Sequence, residues 1–124
     1  MKRPLSILLC SFLMPAVWHL GIKPAFTSEI KKSVEPGNAD AQNTLGGRYY
    51  YGRNVNVNYI EAVKWYRKAA KQADAEGQYN LGTMYENGHG VEKKRNEAIR
   101  WYGLAARQGD EFAQKNLSYL GETW

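Results

Sequence analysis

Cysteine is almost missing from this chain of 124 residues, which has one, Cys10, and two histidines. Cys10 falls in the first 27 residues, so a domain built from the rest has no disulfide and no thiol chemistry. Its elements must hold together by packing. His89, the one histidine beyond that stretch, sits between two glycines and reads as an exposed turn residue. A metal site would need further His or Cys ligands, and the sequence supplies none. Ser28, Ser33 and Ser118 lack a Gly-x-Ser-x-Gly setting and triad partners. Gly88 and Gly90 are not followed by the Lys-Ser/Thr of a phosphate loop. The sequence therefore offers no catalytic, metal or cofactor residue, and an enzyme is not the expected reading.

An excess of one charge is also scarcer than it looks. The chain carries 17 Lys and Arg against 12 Asp and Glu, but residues 1–27 hold three of the bases and no acid. The remainder has 14 against 12, a net +2. Nucleic-acid binding expects a basic face. The one dense run, Lys93-Lys94-Arg95, reads as a solvated helix start, and no nucleic-acid role is expected.

No long apolar run is present either. Lys2 and Arg3 precede an apolar stretch over roughly residues 5–20, broken by Ser6, Ser11 and Pro15, then a polar stretch reaches Thr27. A comfortable membrane span needs about 20 apolar residues. Basic, apolar and small residues in this order read as a signal peptide over 1–27, followed by a polar lead-in over 28–36. The expected location is periplasmic or secreted. An uncleaved anchor over 5–20 is the alternative, and only that would bring a membrane contact. A buried first helix of the domain is a third reading.

What the sequence does have is a repeat. Residues 37–72 lie over 73–108 without a gap and are identical at 14 of 36 positions, mostly small or aromatic residues that pack helices. A fixed period of roughly 20–50 residues signals a stacked array. Ala41, Leu45 and Tyr49 fall four apart, as do Gly77, Leu81 and Tyr85, and Ala113, Leu117 and Gly121, which is one stripe of a helix. Asn38, Asp74 and Asp110 stand ahead of these stripes as N-caps. The recurring Gly46 and Gly82 predict a place where another helix backbone comes close.

In the second halves, Val63, Tyr66 and Ala70 form one stripe and Ala62, Trp65 and Ala69 another, so Trp65 and Trp101 read as core. Glu61 and Glu97 are expected to pair with Lys64, Arg100 or nearby bases. Gly52, Gly88 and Gly90 reverse the chain, with Asn54 in place of the second glycine of unit one, and Val55 and Val91 plug the helix ends. The spacing predicts five helices, near 38–51, 58–71, 74–87, 94–107 and 110–120, and no strand. The fold class is all-α: helix hairpins stacked into an α/α solenoid of about two and a half units. The units are 37–72, 73–108 and a capping half-repeat, 109–121.

The landmarks Leu45-Gly46, Tyr49, Gly52, Val55, Glu61-Ala62, Trp65-Tyr66 and Ala69-Ala70, recurring 36 residues later, resemble the Sel-1-like repeat, a relative of the tetratricopeptide repeat. The resemblance covers 37–121 and implies a right-handed solenoid that serves as a protein–protein interaction module, naming no partner. Gly77 stands where that family has Ala, which should loosen unit two. Lys94 stands where the family's loop has Asp, which Asn58 mimics in unit one, so the second helix of unit two should lack its cap.

A protein or peptide partner is expected on the first-helix face opposite the packed stripe. The candidates there are Asn43 and Tyr50 in unit one, Tyr79, Thr83 and Glu86 in unit two, and Lys115 and Tyr119 in the half-repeat. Tyrosine is enriched in contact surfaces, and helical arithmetic places Tyr50, Tyr79 and Tyr119 along one groove. Packing between repeats is the competing role for these tyrosines. Tyr119, Leu120 and Trp124 are read as the inner face of a cap or as an end that recruits another copy. A self-associating or membrane-tethered accessory subunit is accordingly the alternative function.

Overall fold

The computed structural model describes Lys31, Val34 and residues 37–124. Among these the elements are α1 (Ala39–Tyr51), α2 (Tyr59–Lys71), α3 (Ala75–Asn87), α4 (Arg95–Arg107) and α5 (Glu111–Tyr119). Four of the five helices start at a capping side chain. Asn38, Asn58, Asp74 and Asp110 accept from the backbone N–H of Ala41, Glu61, Gly77 and Ala113, three residues on. Lys94 precedes α4 with the same extended backbone as Asn58, but its side chain makes no capping bond, as expected. Asn54 takes the left-handed φ of 60° that Gly90 takes at 70° in the equivalent turn.

The helices pair as α1 with α2 and α3 with α4. The hairpins stack through α2 on α3 and α4 on α5, and α1 also touches α3. One buried cluster joins Leu45, Trp65, Tyr66, Leu81 and Met84 across the first two units, and another gathers Ala98, Tyr102, Ala113 and Leu117 around the last. Trp65 and Trp101 are core, at 0% and 7% exposure. Burial of such a ring is worth several kcal/mol, about 3–5 when it is deleted.

The glycines behave differently from expectation. What comes close to Gly46 and Gly82 is a tyrosine ring, Tyr66 or Tyr102 from the second helix of the same hairpin, and a Cβ would lie 2.6–2.7 Å from it. The missing side chain is a doorway for an aromatic ring. At Gly77, where loosening was expected, α3 instead lies so close to α2 that a Cβ would sit 2.7 Å from Ala69 Cβ and 2.8 Å from Ala70 N. Glycine is what permits that approach.

The lead-in is also more than polar. Val34 is 5% exposed in the core, and Lys31 reaches Glu61 at 3.3 Å. Glu61 therefore pairs with Lys31 rather than Lys64, while Glu97 pairs with Arg100 at 3.0 Å. A glutamine ladder explains the position of Val34. Gln42, Gln78 and Gln114 donate to the carbonyls of Val34, Ala70 and Ala106, each eight residues earlier. Gln72 and Gln108 donate in turn to the side-chain oxygens of Gln42 and Gln78 at 2.7 and 2.8 Å. Val34 thus occupies the place that Ala70 and Ala106 hold at the ends of α2 and α4.

Candidate functional site: a tyrosine-lined groove between the first helices

Two connected hollows open between α1 and α3. The larger, about 480 Å³, has Asn43, Arg48, Arg53, Tyr66, Glu76 and Asn80 in its wall. The smaller is a slot of about 110 Å³ walled by Tyr50, Tyr51, Tyr66 and Tyr79 over Thr83 and Met84. At ~30 Å³ of liquid volume per water, the slot has room for roughly three or four waters, or one side chain.

Tyr66 reaches the groove although it belongs to α2. Its ring crosses α1 at Gly46, and the hydroxyl comes within 3.7 Å of where a Gly47 Cβ would stand. Burial first, then the neighbouring Tyr51, Tyr50 and Glu76, pushes its phenol above the usual range. Burial likewise raises the Tyr79 phenol, with Asp110 and Glu86 adding to the shift. Both hydroxyls therefore stay protonated at neutral pH and can donate. Glu76 is raised by burial and by the negative charge of Asp74, Asp40 and Asp110.

The expected face divides under inspection. Asn43 does not project outward. It is 4% exposed, and its Nδ2 donates to Asp74 Oδ2 at 2.5 Å, the same oxygen that caps Gly77 N. Its Oδ1 is buried without a hydrogen-bond partner. Tyr50 lines the slot while its hydroxyl lies 3.3 Å from His89 Nδ1. That histidine, expected in solvent, is half-buried and stacks on Tyr59 at 4.4 Å and 6°. Tyr79 lines the slot but is half-buried, packed on Tyr102 and Phe112, both at 5.8 Å. Thr83 turns its hydroxyl back onto the carbonyls of Tyr79 and Asn80.

Three candidates lie elsewhere. Glu86 accepts from the Tyr102 hydroxyl, Lys115 is exposed, and Tyr119 is 88% exposed; none of them lines either hollow. The groove thus joins Tyr50 and Tyr79 as expected but not Tyr119. It also recruits Tyr51, Tyr66, Arg48, Glu76 and Asn80, which the pattern did not select. The signal that could have found Tyr66 was the recurring pair of a glycine and a tyrosine, Gly46 with Tyr66 and Gly82 with Tyr102.

The family model described as Sel1 repeat matches residues 39–74 and 75–110, more than half of the chain. The chain belongs to the Sel1 repeat family. A Sel1 repeat protein from Oxalobacter formigenes is 41% identical over 70% of this chain and 36% of its own, with a TM-score of 0.67. Also similar is c5321, a protective antigen of uropathogenic Escherichia coli with an SLR fold, at 38% identity over 73% of this chain and 20% of its own and a TM-score of 0.72. Helicobacter pylori cysteine rich protein B is 30% identical over 71% of this chain and 66% of its own, with a TM-score of 0.66. The Sel1 array described here thus spans about a third and a fifth of the first two. No curated protein matches it. Sel1 repeats generally serve as protein-interaction scaffolds, and proteins built from them are typically non-catalytic.

Proposed function

We propose that this Sel1 chain is an exported, non-catalytic scaffold that holds an extended segment of a protein partner in the groove between α1 and α3. The observation that carries this reading is the convergence of Tyr50, Tyr51, Tyr66 and Tyr79 from three helices on one slot. A stacked array offers such a groove wherever first helices lie side by side, and aromatic residues in a cleft are the usual anchors of an interface. Export rests on the leader at 1–27, which lies outside the described residues. Among the described residues no helix is long and apolar enough to cross a membrane.

Partner capture with the tagged full chain tests the groove. Tyr51→Ala, at a residue 64% exposed, and Tyr79→Ala should each weaken capture by about 1–2 kcal/mol. Lys64→Ala, on α2, should not. Undiminished capture by both tyrosine variants, with helicity intact, would move the binding surface elsewhere. A C-terminally tagged chain should also mature to a product shorter by roughly 25–28 residues in an exported fraction.

Self-association is the second reading. It is favoured by the exposure of Phe112, Tyr119 and Trp124, at 66%, 88% and 50%, around α5. Exposed apolar surface gathered at one end of a molecule marks an interaction site. A concentration-dependent elution volume abolished by Tyr119→Ser would support it.

A further inference from the structure

We propose that the tyrosine slot receives the side chain of a lysine or arginine from a basic, extended segment of the partner; this rests on the scaffold reading above. The slot is walled by four tyrosine rings, and no lysine or arginine lines it. Aromatic rings attract a cation through the negative potential of their faces, most strongly where water is excluded. The attraction already operates at the rim, where the Arg53 guanidinium lies over the Tyr51 ring, 5.0 Å from its centroid.

Carboxylates and arginines both stand beside the slot. Glu76 lines the adjoining hollow, with Asp40 and Asp74 near enough for their charge to act on it. The charge of Glu76 acts on the Tyr66 hydroxyl, and that of Glu86 and Asp110 on the Tyr79 hydroxyl. Arg48 and Arg53 line that hollow beside Glu76, so the charge next to the slot is mixed, and the ring faces are what select a cation. An apolar or proline side chain would fill the volume, but it would leave the negative potential of the ring faces unanswered. An acidic one would meet the ring faces with the wrong sign.

Capped pentapeptides Ala-Ala-X-Ala-Ala, with X as Lys, Arg, norleucine, Pro or Glu, titrated into the full chain while the tyrosine ring resonances are followed, test this directly. The Lys and Arg peptides should bind at least tenfold tighter than the norleucine peptide and shift the rings of Tyr50, Tyr51, Tyr66 and Tyr79. Glu76→Gln should weaken the Lys peptide several-fold and leave the norleucine peptide unchanged. Arg53→Ala, which removes the resident cation at the rim, should tighten the Lys peptide. Equal or tighter binding of the norleucine or Pro peptide would overturn the assignment, as would the absence of any saturable shift. Should Tyr79→Ala disturb folding, the exposed Tyr51→Ala and the charge-only Glu76→Gln still decide the matter. If the tyrosine variants lose the captured partner while X makes no difference, the scaffold reading stands and the cation assignment falls.

Discussion

Units one and two share their frame and differ in what that frame exposes. In both, a tyrosine from the second helix crosses the first helix at a glycine, Tyr66 at Gly46 and Tyr102 at Gly82. In unit two the emerging hydroxyl is held by Glu86. The corresponding position in unit one is Tyr50, which turns its own hydroxyl to His89, and Tyr66 is left facing the groove. Identical residues thus fix the backbone, and the positions where the copies diverge decide where a site forms. The capped start of α2 and the uncapped start of α4 show the same division in stability.

The largest effect should come from the tryptophans, and it should separate the units. Trp65→Ala and Trp101→Ala should each cost about 3–5 kcal/mol, with Trp65 the costlier. Trp65 is fully buried and donates from Nε1 to Glu61 at 3.3 Å, whereas Nε1 of Trp101 has no partner. Chemical denaturation of both variants measures the difference, and equal midpoints would remove the asymmetry.

Next is the joint between the units. Gly77→Ala forces a methyl against the backbone at Ala69 and Ala70, an overpacking cost of about 1–3 kcal/mol that exceeds the ~1 kcal/mol gain in helix propensity. Gly103→Ala is the control. There a Cβ would meet only the flexible tip of Arg107, at 3.8 Å, so that variant should melt higher than the parent while Gly77→Ala melts lower. The smallest effect should come from copying the cap of unit one into unit two. Lys94→Asn should stabilise by about 1 kcal/mol, because the backbone already has the φ of −137° and ψ of 102° that suit a capping side chain. The ion pair it removes, Lys94 with Glu92 at 3.9 Å on exposed side chains, is worth little. A thermal melt identical to that of the parent would mean that the uncapped start is already satisfied by solvent.

The helices, their caps and the tryptophan core were legible in the sequence because they depend on local spacing and on residues repeated in both copies. The groove was legible only in part. Helical arithmetic says which face a Cβ leaves from, but not how far a long side chain travels. It therefore kept Tyr66 with the second-helix core and sent Asn43 outward, although Asn43 turns in to hold Asp74. It also assumed that three tyrosines on equivalent helices stay in line. Phe112, rather than Tyr119, is the α5 residue whose ring meets Tyr79. Val34 escaped notice because its role comes from a hydrogen bond at the edge of the array, where no preceding copy existed to reveal the period.

The glutamine ladder carries a consequence for descent. The glutamine-to-carbonyl bond recurs at the same offset at each joint, so a duplicated 36-residue segment would arrive with that bond already encoded. A copy of residues 37–72 placed at a joint would still bring Ala41 to the position where α3 needs Gly77 for its close approach to α2. The ladder thus fixes the register of a new unit, while the small residue facing the preceding helix decides how closely that unit packs.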